Sequence, residues 1–306
     1  MRKFLLIYRA PQFSPNSVEK DKLILEAVGS RLKEQGNSVR FVQEECFREE
    51  DEADVYLSMG RLPETLAILK RKAAAGRITV NSGEGVERTA RMVLDRLMRA
   101  NHIPAAPLFD EQRVADGYWL KRGDAAAQSR EDVLFAKDIK EVNRLMESFR
   151  KRKIQDVLIT EHVKGDLVKF YGVQGTGFFR FFYPTDDGNT KFDDEKRNGI
   201  ARHYAFQIDD LQDEAERLSE LTDVVVYGGD CIVREDGSFV IIDFNDWPSF
   251  SRCREEAAEA IAMRIAPSIP PGGGSLEEGR RRKEEGEMIS EVWSEECGVR
   301  FAFKKK

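Results

Sequence analysis

"GGDCIVREDGSFVIIDFNDWPSF", residues 228–250, is the stretch on which the fold turns. It holds two apolar runs, Cys231–Val233 and Phe239–Ile242, separated by "REDGS". Asp-Gly between two such runs is a hairpin signal, because its residues take the positive φ that a tight turn needs. A two-residue turn at Asp236-Gly237 places Glu235 opposite Ser238, Val233 opposite Val240, Ile232 opposite Ile241 and Asp230 opposite Asp243. This register matches apolar with apolar. It also sets two carboxylates face to face, which destabilises a bare hairpin. Asn245 follows two residues after Asp243, so its side chain points to the same face.

Something must satisfy that face. Two carboxylates and an amide are the oxygen ligands that magnesium takes, with phosphate oxygens completing its shell. Asx residues also cap strands and open turns, and Asp243 with Asn245 alone does not separate the two readings. Asp230, delivered by the turn, favours the metal. Asp230, Asp243 and Asn245 are therefore the candidate metal ligands.

Outward from this hairpin, the chain reads as α/β followed by α+β. "KFLLIY", "SVRFVQ", "DVYLSMG" and "RITVNS" are strands, and "SVEKDKLILEAVGSRLKEQG" and "LPETLAILKRKAAAG" are helices between them. That order predicts a small parallel α/β domain over residues 1–82. "GVERTARMVLDRLMRANHIPAAPLF" is a helix ended by Pro104 and Pro107. The strands "YWLKRGD", "DVLFAKD" and "DVLITEHV", with a basic amphipathic helix over 139–153, make a second unit, 83–160. A third, 161–266, holds the strands of "GDLVKFYGVQGTGFFRFFYP", a polar loop over 185–202, helices over 211–221 and 254–265, and the opening hairpin. "APSIPPGGGS" reads as a linker. Residues 267–306 make up that linker and a tail: a charged helix is expected over 276–292 and a strand in "VRFAFKKK".

Composition narrows the functional classes. The 306 residues carry a net charge of −6, which argues against a chain-wide nucleic-acid or acidic-membrane surface. No apolar run reaches the roughly 18–20 residues of a membrane span, and the N-terminal apolar run is too short for a signal-peptide core. Cys46, Cys231, Cys253 and Cys297 show no metal or disulfide spacing, so a reduced cytoplasm is the expected location. His102, His162 and His203 are too scattered for a zinc site.

Two further features concern a nucleotide. Lys121 ends the aromatic strand "YWLK", where a lysine either binds phosphate as a point charge or is simply solvated. "DVLITEHVKGDLVKFYGV" passes from an apolar strand through a short open segment, which offers backbone groups to a base edge or is an ordinary strand connection. Taken in order, "RTARMVLDRLMRANHIPAAP", "YWLK", "LITEHVKGDLVKFY" and "GGDCIV…FVIIDFNDWPSF" resemble the ATP-grasp superfamily over about residues 80–265. The likeness is to the ATP-binding domain of glutathione synthetase, with a RimK-like ligase or inositol-phosphate-kinase-like branch both in view. The preceding residues look like the α/β domain usual in that family.

The resemblance implies ATP and Mg²⁺ as cofactors. It implies that Lys121 and Arg91 contact phosphates, that Glu161 and Val163 bracket the adenine through their backbones, and that Lys169 faces the site. The sequence departs from many family members in having "GDAAAQS" after the strand lysine, and in having Asp243 where many ligases have Glu. Three functions follow. A ligase phosphorylates a carboxylate, and an amine or thiol then attacks the acyl-phosphate, with Arg180, Arg197 and Lys169 as candidate catalytic residues. A kinase transfers the phosphoryl group to a hydroxyl of an inositol or sugar phosphate, calling on Lys191, Lys196, Arg197, Arg202 and His203. A nucleotide-binding protein without turnover is the third. The expected partner is a small-molecule acceptor, with no nucleic acid and no membrane; a homo-oligomer stays open.

Overall fold

Four short strands, β1 (Lys3–Tyr8), β2 (Ser38–Gln43), β3 (Val55–Ser58) and β4 (Ile78–Val80), pair in parallel in the order β2-β1-β3-β4. The computed structural model describes residues 1–14, 18–124, 129–186, 197–265, 289–294 and 299–304. α1 (Val18–Glu34) and α2 (Pro63–Ala74) cover this sheet. The central strands β1 and β3 are apolar nearly throughout because helices bury a parallel sheet on both sides. β1 sends its connection to β2 on one side and lies beside β3 on the other. The carboxyl ends of β1 and β3 thus flank a topological switch point, the usual ligand crevice of such a sheet.

The helix expected after this sheet is two helices. α3 (Gly83–Arg88) stops at Thr89, Ala90 is extended, and α4 (Arg91–Ala100) begins with the candidate Arg91. Asn81, just after β4, pairs its amide both ways with the Val226 main chain at 2.8 Å, which joins the first sheet to the third.

The second sheet is antiparallel, β6 (Val133–Ala136), β5 (Tyr118–Arg122), β7 (Val157–Glu161), with α5 (Ile139–Lys151) on one face. Tyr118, Leu120 and Ala136 pack against Val142 and Phe149 of α5. Strand alternation therefore turns Trp119, Lys121, Phe135, Leu158 and Thr160 to the other face, toward a cleft.

The third sheet is β11 (Phe239–Asp246), β10 (Val226–Val233), β8 (Asp166–Val173), β9 (Phe178–Phe182), also antiparallel. Val168, Phe170, Cys231 and Phe244 bury one face against α4 and α6 (Ile208–Thr222). Val173, Phe178, Val226 and Trp247 join Leu6, Leu57, α1 and α7 (Arg254–Ile265) in a shared core, so the first and third sheets are packed as one body. Arg31 of α1 reaches Glu255 of α7 at 3.1 Å across that seam.

The opening hairpin is formed, with a corrected register. Arg234 N donates to Ser238 O at 2.8 Å, Gly237 N to Arg234 O at 3.0 Å, and Gly237 takes φ +80°. The loop is thus three residues, Glu235–Gly237, with glycine in the left-handed position. Val233 consequently pairs with Phe239, Ile232 with Val240 and Cys231 with Ile241, one residue off the expected partners. The ladder then shifts between Asp230 and Cys231, leaving Ile242 as the extra residue, and Asp230 faces Asp243 after all.

The chain divides into two compact units, Met1–Ala266 and Pro267–Lys306. In the second, β12 (Ile289–Ser294) pairs antiparallel with β13 (Val299–Lys304). The strand expected in the tail is present, but the charged helix over 276–292 is corrected at its end: Ile289–Val292 is strand, and 276–288 lie outside the described residues. Ile289, Val292 and Trp293 carry strong strand preference, which outweighs the preceding charge pattern. Among the described residues no helix is long and apolar enough to cross a membrane.

Candidate active site

The bulge at Ile242 builds the site. A bulged residue leaves the ladder, and the Ile242 carbonyl instead accepts from Lys121 Nζ at 2.9 Å. This contact closes the second sheet onto the third. Arg91, Leu94, Lys121, Thr160, Ile242 and Asp243 are among the residues lining the cleft between them. Arg91 Nη1 bonds the Arg122 carbonyl at 3.4 Å, while its buried Nε has no acceptor among the described residues. Burial pushes the Lys121 ammonium below its ordinary pKa, and Arg91 adds to this, opposed by Asp243 and Asp230. A buried cation held in this way gains most from an incoming anion.

Asp243, Asn245 and Asp230 share one face, as expected. Asn245 Nδ2 donates to Asp243 Oδ2 at 3.0 Å. Lys169, opposite Asp230 on β8, places Nζ 3.0 and 3.3 Å from the two carboxylate oxygens. Burial raises the Asp243 carboxyl, but Arg91, Lys121, the Asn245 amide and Lys169 together bring it below the usual range. The facing aspartates are thus tolerated because three cations stand around them. Among the described residues no group of three or more His, Cys, Asp or Glu is arranged to hold a metal ion by itself. The oxygen set Asp230, Asp243 and Asn245 is the place that fits a hard cation such as Mg²⁺.

The segment after β7 is partly committed. Glu161 N donates to Pro107 O at 2.8 Å, and its carboxylate accepts from Arg113 Nε at 2.6 Å. Its backbone N–H is therefore used within the protein, which leaves the carbonyl for its expected part at an adenine edge. The Val163 N–H meets no acceptor among the described residues, while its carbonyl accepts from Asn198 Nδ2 at 3.3 Å. Beside it stands an aromatic wall. Trp119 Nε1 donates to His162 Nδ1 at 3.2 Å with the two rings tilted, and Phe135 meets both rings edge-on. Burial, with Arg197 and Lys164 against Asp116, holds His162 below its ordinary pKa.

The two candidate arginines have partners within the protein. Arg197 stacks on this wall, its guanidinium carbon 3.8 Å from the Phe135 centroid and 5.8 Å from that of Trp119. Arg180 is tied down by Glu256 of α7, by the Phe179 carbonyl at 2.8 Å and by the Phe178 ring. The shared core places α7 beside β9 and supplies that partner, which strand alternation could not foretell. Of the loop residues invoked for a kinase, Lys191 and Lys196 lie outside the described residues, as do 125–128 of "GDAAAQS". Arg202 Nη1 meets Tyr204 Oη at 3.2 Å, and His203 pairs with Asp186 at 3.2 Å.

Sequence reasoning missed Arg9, Arg61 and Asp246. Arg9 follows the buried strand β1, and a charged residue at the carboxyl end of an apolar parallel strand is a usable signal.

No family model and no curated protein matches the sequence. Solved structures do match the fold. A D-alanyl-alanine synthetase A from Vibrio cholerae aligns over 85% of this chain and 93% of its own, with 12% identity and a TM-score of 0.61. A RimK domain ATP-grasp protein from Sphaerobacter thermophilus covers 85% and 98%, with 18% identity and a TM-score of 0.59. A D-alanine–D-alanine ligase from Bacillus anthracis, complexed with ATP, covers 87% and 98%, with 9% identity and a TM-score of 0.59. The chain has the ATP-grasp fold.

Proposed function

We propose that this chain is an ATP- and Mg²⁺-dependent ligase that joins a carboxylate to an amine or thiol through an acyl-phosphate. One observation carries the reading. Lys121 and Arg91 stand on one side of a cleft between two antiparallel sheets, and Asp243, Asn245 and Asp230 stand on the other. Neighbours in fold that are named as D-alanine–D-alanine ligases, one complexed with ATP, support it.

In this reading Lys121 exchanges the Ile242 carbonyl for a phosphate oxygen, and Arg91 offers its buried Nε to the same group. The Val163 N–H takes the base edge, next to the Trp119, Phe135 and His162 rings. Asp230, Asp243 and Asn245 hold Mg²⁺, which when bound neutralises phosphate charge as the phosphoryl group moves. Lys169 balances Asp230 and orients it. Arg197 serves the acceptor from the aromatic wall, and Arg180 anchors α7. The residues 1–82, 83–160 and 161–266 act as an α/β domain and two ATP-grasp subdomains, with 267–306 apart from the chemistry.

The test is an acceptor screen with ATP and magnesium that follows the phosphate. Free phosphate released with an amide or thioester supports the ligase. A phosphorylated product replaces this reading with a kinase, and ATP binding without turnover on any acceptor replaces it with a binding protein.

A further inference from the structure

At the switch point of the first sheet, where such a sheet takes its ligand, the protein has placed a piece of itself. Asp246, the last residue of β11, is 1% exposed. Arg9, after β1, brings Nη2 to the Asp246 carboxylate at 3.3 Å, to the Asp246 carbonyl at 3.1 Å and to the Trp247 carbonyl at 3.1 Å. Its Nη1 reaches Asp21 of α1 at 3.0 Å, and its Nε the Met59 carbonyl at 3.2 Å. Arg61, after β3, donates to the other Asp246 oxygen. Glu44 accepts from the main-chain N–H groups of Ala10, Arg61 and Leu62 and touches neither guanidinium with a hydrogen bond among the described residues.

We infer that Asp246, gripped by Arg9 and Arg61, is a positioning residue that fixes the metal-bearing end of β11 against the first sheet. The inference rests on the proposed metal site. Three facts carry it. The grip falls on the residue next to Asn245, and it holds main chain as well as side chain, so it fixes the path of the strand. It also spans 237 residues of sequence, joining the first sheet to the metal ligands directly. Finally, the two guanidiniums face the Asp246, Asp21 and Glu44 carboxylates. Among the described residues both arginines are thus matched by carboxylates, though the buried Arg61 Nε meets no acceptor there. Forked guanidinium bonds fix direction as well as charge, and partners of this kind set ligand geometry at metal sites.

Manganese serves as the spin probe, titrated into the full chain with and without a non-hydrolysable ATP analogue. Asp243→Asn identifies the signal that belongs to the site. Asp246→Asn is expected to weaken manganese binding by about tenfold or more, while analogue binding in EDTA stays within about twofold. Glu44→Gln, in the same buried network but not on β11, is expected to lower the melting temperature and leave manganese affinity within about twofold. Should Asp246→Asn fail to fold, Arg9→Lys and Arg61→Lys keep the charge and lose the fork, with the same loss expected. Unchanged manganese affinity in these variants, an equal loss in Glu44→Gln, or no manganese bound at Asp243 in the wild type overturns the inference. Manganese bound as expected, with no turnover on any carboxylate, overturns the ligase reading alone.

Discussion

Lys121 Nζ lies 2.9 Å from the carbonyl oxygen of Ile242, the residue that bulges out of β11 immediately before Asp243. One irregularity thus does two things. It restores the pairing of Asp230 with Asp243, and it frees a carbonyl to hold a lysine across the cleft.

Lys121→Met is expected to weaken ATP binding by about 10- to 100-fold, the loss of one charge-assisted hydrogen bond. Stability near neutral pH is expected to change little, since relief of the buried charge offsets the loss of a cation beside Asp243 and of the bond to Ile242. The pH dependence has a definite sign. The folded pKa of Lys121 lies below the unfolded value, so the unfolded chain binds more protons between the two. Wild-type stability therefore gains from this group as pH climbs through the folded value toward about 10.4. Urea melts at stepped alkaline pH check this, and an unchanged slope in the variant removes the assignment.

Asp243→Asn is expected to abolish magnesium-dependent turnover with the fold retained. Removing one of two facing carboxylates would stabilise a bare hairpin, but here Arg91, Lys121 and Lys169 depend on that charge. The variant is therefore expected to lose on the order of 1–3 kcal/mol. Denaturant midpoints measure this, and near-normal turnover at low magnesium would sink the metal assignment.

The order of strands and helices was legible because each carries its own period. Asp230 opposite Asp243 was legible because Gly237 demands a turn. The intervening register was not, since a three-residue loop and a bulge cancel one another and leave the ends where a simple hairpin would put them. The partner of Arg180 was hidden for a different reason: Glu256 belongs to a helix whose placement depends on the shared core. Arg9 and Asp246 lie 237 positions apart, and no local pattern pairs them. The tail was misjudged where charge pattern and strand preference competed.

Gly229→Ala tests how tightly the metal strand is held. A Cβ there would lie 2.4 Å from the Asp243 carbonyl oxygen and 2.4 Å from Phe170 Cζ. Backbone cannot yield as a flexible side chain does, so β11 must shift. A loss of about 1–3 kcal/mol is expected, with weakened metal binding. A variant as stable and as metal-competent as the wild type would show that β10 and β11 have slack.

Arg180→Ala is expected to leave turnover within about twofold and to cost no more than about 1 kcal/mol, the scale of a partly exposed ion pair. Loss of turnover with an unchanged melting temperature would return Arg180 to the chemistry.

The aromatic wall offers a direct reporter of the nucleotide. Of the three tryptophans, Trp119, Trp247 and Trp293, it is Trp119 that bonds His162, the residue before Val163, whose N–H meets no acceptor among the described residues. Its ring also lies under Arg197. A base seated at Val163 changes the surroundings of His162 and, through that bond, of the Trp119 indole. ATP titration is therefore expected to change tryptophan emission in the wild type, and Trp119→Phe is expected to abolish the change while calorimetry still shows binding within about threefold. Arg197→Ala removes a contact of about 0.5–2 kcal/mol and is expected to reduce the signal more than the affinity. A signal that survives Trp119→Phe would come from Trp247 or Trp293 and would move the base away from this wall.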